Sequence, residues 1–259
     1  MKKAAVAFIV IAYHPNEEEF SHLLRILPSE ETIVVDNGQT VVSKDIGKAT
    51  LLSQSTNTGY ATAANIGIRH QIAYGFEWFV ILNQDVEITR TAVEDLTKQL
   101  TALEPCIAGP FVGGLDTKRW TSKLPSKRVD YISGSCLAIH KNVVEKIGYL
   151  YEPYFLYYEE ADYCVRAKRA GFALHHLRVE GVAHEESVSL GKGSRAHQYY
   201  LARNHLLFVL RLAPLSVKLY EIARFPKTIS EHIMHREWGA LQGIWDFTVR
   251  TFGRSKGGI

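Results

Sequence analysis

Continuous apolar blocks alternate with amphipathic stretches through the first half of the chain. Val6 to Ala12 is an unbroken apolar run, Glu17 to Leu27 is amphipathic, Thr32 to Val35 and Thr50 to Leu52 are short apolar segments, and Ala61 to Tyr74 is amphipathic again. Glu77 to Leu82 reads as the next strand. Thr89 opens a helix that carries Glu94 and Asp95 near its start and runs to about Leu103. Short strands that do not alternate, each followed by a helix, predict a parallel sheet covered on both faces. The second half offers strands at Cys106 to Val112, Tyr131 to Ile139 and Phe172 to Val182, with a helix from Glu159 to Ala170, and predicts a mixed sheet. Gly113 to Val129 holds Gly113-Gly114, Trp120, Pro125 and several Lys and Arg, the composition of a mobile functional loop. Ser194 to Gly253 is helical in pattern, with breaks predicted at Pro214 and Pro226.

Composition narrows the class. The 259 residues are 46% hydrophobic and 22% charged, which excludes disorder and permits either one large domain or two small ones. Thirty Lys+Arg against 27 Asp+Glu leave a net charge of +3, too little for a nucleic-acid binder, so nucleic acid is not an expected partner. Cys106, Cys136 and Cys164 are odd in number and widely spaced, which predicts neither a disulfide framework nor a zinc site and fits the reducing cytoplasm. Lys2 and Lys3 before the first apolar run imitate a short signal peptide. The run is nonetheless Val- and Ile-rich and ends in Tyr13-His14-Pro15-Asn16, so a buried strand is the better reading.

In a parallel α/β sheet, ligands bind beyond the carboxyl ends of the strands, and several such ends here are polar. Tyr13-His14-Pro15-Asn16 lacks the Gly-x-Gly-x-x-Gly turn of a dinucleotide fold, which argues against a dehydrogenase. Asp36-Asn37-Gly38 is either an Asx turn or a carboxylate able to accept the N3–H of a pyrimidine. Asn83-Gln84-Asp85 is either an N-cap cluster or an oxygen-rich anchor for Mg or Mn against a diphosphate. Glu159, Glu160 and Asp162 fit the acidic first turn of a helix. They also stand beside Tyr154-Phe155 and Tyr157-Tyr158, a setting where a general base can meet a sugar hydroxyl. His184 ends a strand-like Val179 to Ala183, where a metal could use it, although a lone histidine is more often incidental.

Taken in order, these segments resemble the family 2 glycosyltransferases of the GT-A fold, and among them the bacterial rhamnosyltransferase-like group. The resemblance spans roughly residues 5 to 210. It implies a Rossmann-like, mostly parallel sheet flanked by helices over residues 1–211, a C-terminal helical extension over 212–259, and inverting transfer of a sugar from a nucleoside diphosphate donor. It implies that Tyr13 and Asp36 hold the base and that the segment from Asn57 through Gly59 to Asn65 lines the donor pocket. Asn83 and Asp85 fall on the Asp-x-Asp signature, with Asp85 and His184 as ligands of Mn or Mg. Ser133 and Gly134 lie near the transferred sugar, and Arg203 belongs to an Arg-Asn pair after the core. Glu160 stands where the family has its catalytic Asp, with Glu159 before it and Asp162 as the capping or acceptor-orienting acid. Asn83 and Glu160 depart from the family pattern.

The expected reaction is transfer of rhamnose from dTDP-rhamnose, or of a sugar from a UDP donor, to a glycan or lipid-linked acceptor in bacterial surface polysaccharide synthesis. A nucleotidyltransferase and a catalytically silent sugar-nucleotide-binding subunit are the rivals. From Leu212 onward, Lys218, Arg224, Lys227, Arg236, Arg250, Arg254 and Lys256 are interleaved with aromatic and aliphatic residues. That pattern suits three roles: an anionic membrane surface at the inner face of the cell membrane, packing against the catalytic domain, or a homo-oligomer interface.

Overall fold

A computed structural model describes residues 5–41, 46–184, 191 and 193–255. Seven strands form the central sheet in the order β11-β6-β10-β4-β1-β2-β3. They are β1 (Val6–Ala12), β2 (Thr32–Asp36), β3 (Thr50–Ser53), β4 (Trp78–Asn83), β6 (Ile107–Gly109), β10 (Cys136–His140) and β11 (Leu174–His176). Only β10 runs against the others, pairing antiparallel with both β4 and β6. The reversal matters for the site: the entry to β10, residues 133 to 135, falls at the same sheet edge as the exits of β1, β2 and β4.

Every residue of β1 is buried, because both sheet faces are covered. Ile9 and Ile11 join Ile33, Val35, Phe79 and Ile81 on one face, packed by α2 (Tyr60–Ala73), α4 (Lys141–Ile147), α5 (Glu159–Arg169) and α6 (Arg195–Leu212). Phe8 and Val10 join Val34, Trp78, Val80 and Leu82 on the other, packed by α1 (Glu17–Ile26) and α3 (Arg90–Thr101). Burial of one such side chain contributes about 1.5–3 kcal/mol, so the two-faced pattern is the main specification of the fold. Asn16 caps α1 by accepting from the backbone of Glu18 and Glu19, and Thr89 caps α3.

Four expectations about elements need correction. The apolar run Cys106 to Val112 is divided, with Pro110 between β6 and β7 (Val112–Leu115), since proline cannot donate to a ladder. The run Tyr131 to Ile139 divides at Ser133-Gly134-Ser135 into β9 (Tyr131–Ile132) and β10. The stretch Gly113 to Val129 is not only loop: β7 pairs with β8 (Ser122–Lys123) and with β9 in a three-stranded sheet. Pro226 lies inside α7 (Leu215–Met234) rather than ending it. The helical break comes instead before α8 (Trp238–Thr248), where Arg236 has a φ of 56°.

Helix α8 turns back along α6 at close range. A Cβ on Gly243 would lie 2.3 Å from the Tyr199 carbonyl oxygen, so the approach depends on that glycine. No helix among the described residues is long and apolar enough to cross a membrane. All three cysteines are free and buried.

Candidate active site

A cleft of about 590 Å³ opens at the edge where β1, β2 and β4 end and β10 begins. Of the residues singled out in the sequence, it gathers Tyr13, Asn57, Gly59, Asn83, Asp85, Ser133, Gly134, Glu159, Glu160 and His184. Tyr13 is held at the mouth by a two-way amide contact: its N–H donates to Gln84 Oε1 at 2.6 Å, and Gln84 Nε2 donates to its carbonyl at 3.1 Å. Asn37, just past β2, also faces the cleft; it accepts from Thr58 through Oδ1 and donates to Asn57 Oδ1.

Asp85 and His184 are 99 residues apart in number and meet through a two-residue ladder. Strand β12 (Val182–Ala183) pairs antiparallel with β5 (Glu87–Ile88), which carries His184 back beside the turn after β4. His184 Nε2 lies 3.3 Å from Asp85 Oδ1 and 3.4 Å from Asn83 Nδ2. Asp85 does not cap α3, because Thr89 does. Its Oδ1 is buried and accepts no hydrogen bond. An orphaned carboxylate oxygen beside an imidazole nitrogen is a donor set that suits Mn or Mg, which take the rest of their ligands from water and phosphate. Among the described residues, no third His, Cys, Asp or Glu completes the set.

Glu159 and Glu160 begin α5 after an unusual turn. Phe155, Tyr157 and Tyr158 have φ of 67°, 68° and 75°, left-handed values that cost about 1–3 kcal/mol each in non-glycine residues. Asn204 holds this turn, its Nδ2 donating to the carbonyls of Tyr154, Leu156 and Tyr157 at 2.9, 2.6 and 3.1 Å. Arg203 adds a bond from Nη2 to the Tyr154 carbonyl at 2.8 Å, and Tyr60 N donates to the Phe155 carbonyl at 2.7 Å. Gly59 is needed there, since a Cβ would fall 2.4 Å from that same oxygen and its φ is +85°. The turn delivers two adjacent carboxylates to the cleft. Burial raises the Glu160 carboxyl to about 7. Burial, and then the neighbouring Glu160 charge, hold Glu159 well above the usual carboxylate range.

Four predicted site residues are not brought to the cleft. Asp36 is fully buried and accepts from Thr40 N, Thr40 Oγ1 and Val41 N, so it closes its own Asx-type turn. Asn65 lies on the buried face of α2, where it donates to the Leu150 carbonyl and accepts from Leu150 N. Asp162 is fully buried, bonded to Arg166, Arg211 and the Tyr154 hydroxyl. Arg203 is fully buried against Tyr199 and Tyr200. The last three instead support the segment that carries the glutamates. Sequence reasoning passed over Asn37, Gln84 and the clamp role of Asn204. A polar residue just past a buried strand was the available signal for the first two; for Asn204 it was the Arg-Asn pair of the resemblance, which carried no structural role.

No family model matches the chain. Among curated proteins it is similar to the low-salt glycan biosynthesis hexosyltransferase Agl10 of Haloferax volcanii, 28% identical over 93% of this chain and 91% of that one. The dTDP-rhamnosyl transferase RfbF of Shigella flexneri is 24% identical over 83% of each chain. The N-acetylglucosaminyl-diphospho-decaprenol L-rhamnosyltransferase of Mycobacterium tuberculosis is 24% identical over 76% of this chain and 80% of its own. Among solved structures, Staphylococcus aureus TarS 1–349 in complex with UDP-GlcNAc superposes with a TM-score of 0.56 at 14% identity, covering 94% of this chain and 80% of that one. GalNAc-T7 with UDP, GalNAc and Mn2+ gives 0.54 at 12% identity, covering 90% and 58%. The fold is GT-A, and the chain is a glycosyltransferase. Its curated relatives transfer hexoses, rhamnose among them.

Proposed function

We propose that this protein is an inverting, metal-assisted glycosyltransferase of surface polysaccharide synthesis. It takes rhamnose from dTDP-rhamnose, or a sugar from a UDP donor, and passes it to a glycan or lipid-linked acceptor. The observation that carries the reading is the pairing, within one cleft, of Asp85 and His184 with a carboxylate that titrates near neutrality, Glu160. The names of the Shigella and mycobacterial relatives support the sugar and the lipid-linked acceptor.

In this reading the donor nucleoside rests against Tyr13, Asn37, Asn57 and Gly59, with its diphosphate toward Asp85 and His184. Asn83 contributes hydrogen bonds there but no charge. Asp85 and His184 are the residues that would hold Mn or Mg, which would supply charge neutralisation for the departing diphosphate. Ser133 and Gly134 border the transferred sugar. Glu160 accepts the acceptor's hydroxyl proton as that oxygen forms its bond to the anomeric carbon and the diphosphate oxygen leaves from the opposite side, which inverts the centre. Glu159, held well above the usual carboxylate range by burial and by the Glu160 charge, stands beside it. The C-terminal helices rest on the inner face of the membrane, where a lipid-linked acceptor is presented; a homo-oligomeric contact through the same helices is the competing use.

The test is sugar transfer by wild type, Glu160→Gln and Glu160→Asp, with the anomeric configuration of the product read by NMR. The amide should lower the chemical step roughly 100- to 10,000-fold with little change in donor affinity, and Asp should retain more activity than the amide. Near-normal transfer by Glu160→Gln, or retention of configuration, would overturn the assignment.

A further inference from the structure

Residues 251–255 follow α8, lie beyond the span of the resemblance, and fold back onto the turn that carries the glutamates. None of them lines the cleft. Gly253 makes both of its backbone bonds there: its N–H donates to the Pro153 carbonyl at 2.8 Å, and its carbonyl accepts from Arg203 Nη1 at 2.7 Å. Two residues on, the Ser255 N–H donates to the Tyr200 hydroxyl at 3.0 Å, and the Tyr200 ring stacks on Phe155 with centroids 5.1 Å apart. Phe252 packs edge-on against Phe247 of α8, and the Thr251 N–H donates to the Asp246 carbonyl, so the segment leaves the helix in a set direction.

Arg203 makes this contact consequential. Its guanidinium is fully buried and has no carboxylate at ion-pair distance among the described residues. A buried charge is tolerated only where its donors are met. Nη1 donates to the Gly253 carbonyl and, at 3.3 Å, to the Tyr199 hydroxyl; Nη2 donates to the Tyr154 carbonyl and Nε to Asn204 Oδ1 at 2.9 Å. The same Asn204 gives its Nδ2 to the carbonyls of Leu156 and Tyr157. One route therefore runs from Gly253 through Arg203 and Asn204 to the residues just before Glu159, and a second runs from Ser255 through Tyr200 to Phe155. The nucleotide wall is held without this segment. Asn57 Oδ1 accepts from Asn37 Nδ2 and Gly59 N, and Asp85 and His184 follow β4 and β12.

We propose that residues 251–255 are a positioning segment for catalysis: anchored through Gly253, they set the turn from Tyr154 to Tyr158 and thereby the aim of Glu160 at the acceptor hydroxyl. The inference rests on Glu160 as the base proposed above and adds residues that never touch substrate. Both routes end on the turn rather than on the sheet, and the turn holds three left-handed residues, conformations that persist only while the surroundings enforce them. Transfer is sensitive to small shifts there, since a displacement of about 1 Å at the reacting groups can cost on the order of 100-fold. Gly253 also offers a clean handle. Its φ is +80° and nothing lies within 4 Å of where a Cβ would stand, so a substitution there acts through the backbone and not through a clash.

The experiment uses the full chain in four forms: wild type, Gly253→Pro, Gly253→Ala and Gly253→Asn. Proline removes the N–H and forces a negative φ, alanine strains the left-handed backbone, and asparagine tolerates it. Steady-state sugar transfer, calorimetry of dTDP and UDP with Mn, and amide hydrogen exchange are measured on each. Gly253→Pro should lower kcat roughly 10- to 100-fold with nucleotide affinity unchanged. Gly253→Ala should show a smaller loss of the same kind, and Gly253→Asn should stay close to wild type. Exchange should quicken in Gly253→Pro at residues 154–162 and not in β1, β2 or β4. An unchanged kcat in Gly253→Pro, or a loss of nucleotide affinity equal to the loss in kcat, would overturn the proposal. Should Gly253→Pro fail to fold, Gly253→Ala decides: wild-type kcat and wild-type exchange at 154–162 would overturn it equally. Sugar transfer by wild type separates the two proposals. No transfer at all, with quickened exchange confined to the turn, would count against Glu160 as base and leave the coupling of Gly253 to the turn standing. Transfer by wild type and by Gly253→Pro at one rate would remove the positioning segment alone.

Discussion

Glu160 illustrates how one residue ties activity to stability. Its carboxyl, raised by burial to about 7, must be ionised to accept a proton, so the rate should rise with pH below about 7 and level off above it. The stability consequence has the opposite sign. A carboxyl whose folded pKa exceeds its unfolded value binds more protons when folded, so its stabilising contribution is complete at low pH and is lost as pH rises through about 7. Glu160→Gln should therefore remove activity and raise the melting temperature at pH 8, with a smaller gain at pH 5. A lower melting temperature at pH 8 would mean that Glu160 is only a helix N-terminal acid, whose loss costs about 0.3–1 kcal/mol. Asp85 makes a separate case, because its buried Oδ1 has no hydrogen bond to lose. Asp85→Ala should abolish the Mn-dependent part of nucleotide binding while the melting temperature stays within a few degrees. Calorimetry with and without Mn checks this, and an unchanged Mn effect would reject the metal assignment.

At the scale of elements, the turn before α5 is held from α6, by a residue 47 to 50 positions further along the chain. Asn204 shares one amide among the carbonyls of Tyr154, Leu156 and Tyr157, in a segment with three left-handed residues. Asn204→Leu keeps the size and removes the donors. It should lower the melting temperature by several degrees, on the order of 2–4 kcal/mol for buried carbonyls left unpaired. Transfer should fall more than nucleotide binding, because the glutamates lose their aim while the Asp85–His184 end is untouched. Equal losses in the two assays would indicate general loosening instead. Such a clamp is invisible to periodicity. The strands β1, β2 and β4 were legible because both their faces are buried and their sequences are accordingly unbroken apolar runs. The ends of those strands were legible as site positions by the same logic, which found Tyr13, Asn83 and Asp85. What failed was anything set by a distant partner: the split at residues 133 to 135, the seven-residue α4, and the inward turn of Asp36, Asn65, Asp162 and Arg203. Asp36 takes the turn-closing alternative of its two readings, and Asn65, Asp162 and Arg203, placed near the ligands by the resemblance, are buried in the fold as supports.

For the whole molecule, the question is what the C-terminal helices face. Leu215, Leu219, Ile222 and Ile233 recur along one side of α7 at helical spacing and are exposed, as are Trp238, Trp245 and Val249 along one side of α8. Ile222 and Trp245 are 69% and 66% exposed, more than stray surface residues of this size usually are. The acids of the segment are occupied: Glu221 pairs with Arg119, Glu231 with Arg224, Glu237 with His232, and Asp246 accepts from the Tyr199 hydroxyl. Lys218, Arg236, Arg250 and Arg254 have no ion pair among the described residues. Apolar stripes with tryptophan, fringed by unmatched cations, fit the headgroup region of an anionic bilayer, where each basic residue adds about 1 kcal/mol. The full chain should float with phosphatidylglycerol vesicles, much less with phosphatidylcholine vesicles, and less again in high salt. Leu219→Glu with Ile222→Glu should abolish flotation without shifting the melting temperature, since both side chains point away from the core. The rival use, a contact between copies, makes a different forecast: light scattering without vesicles would show a dimer that the same double substitution splits. A dimer of that kind, or equal flotation of wild type and the double variant, would end the membrane reading. A monomer that binds only anionic vesicles through these residues would set α7 and α8 against the surface where a lipid-borne acceptor arrives.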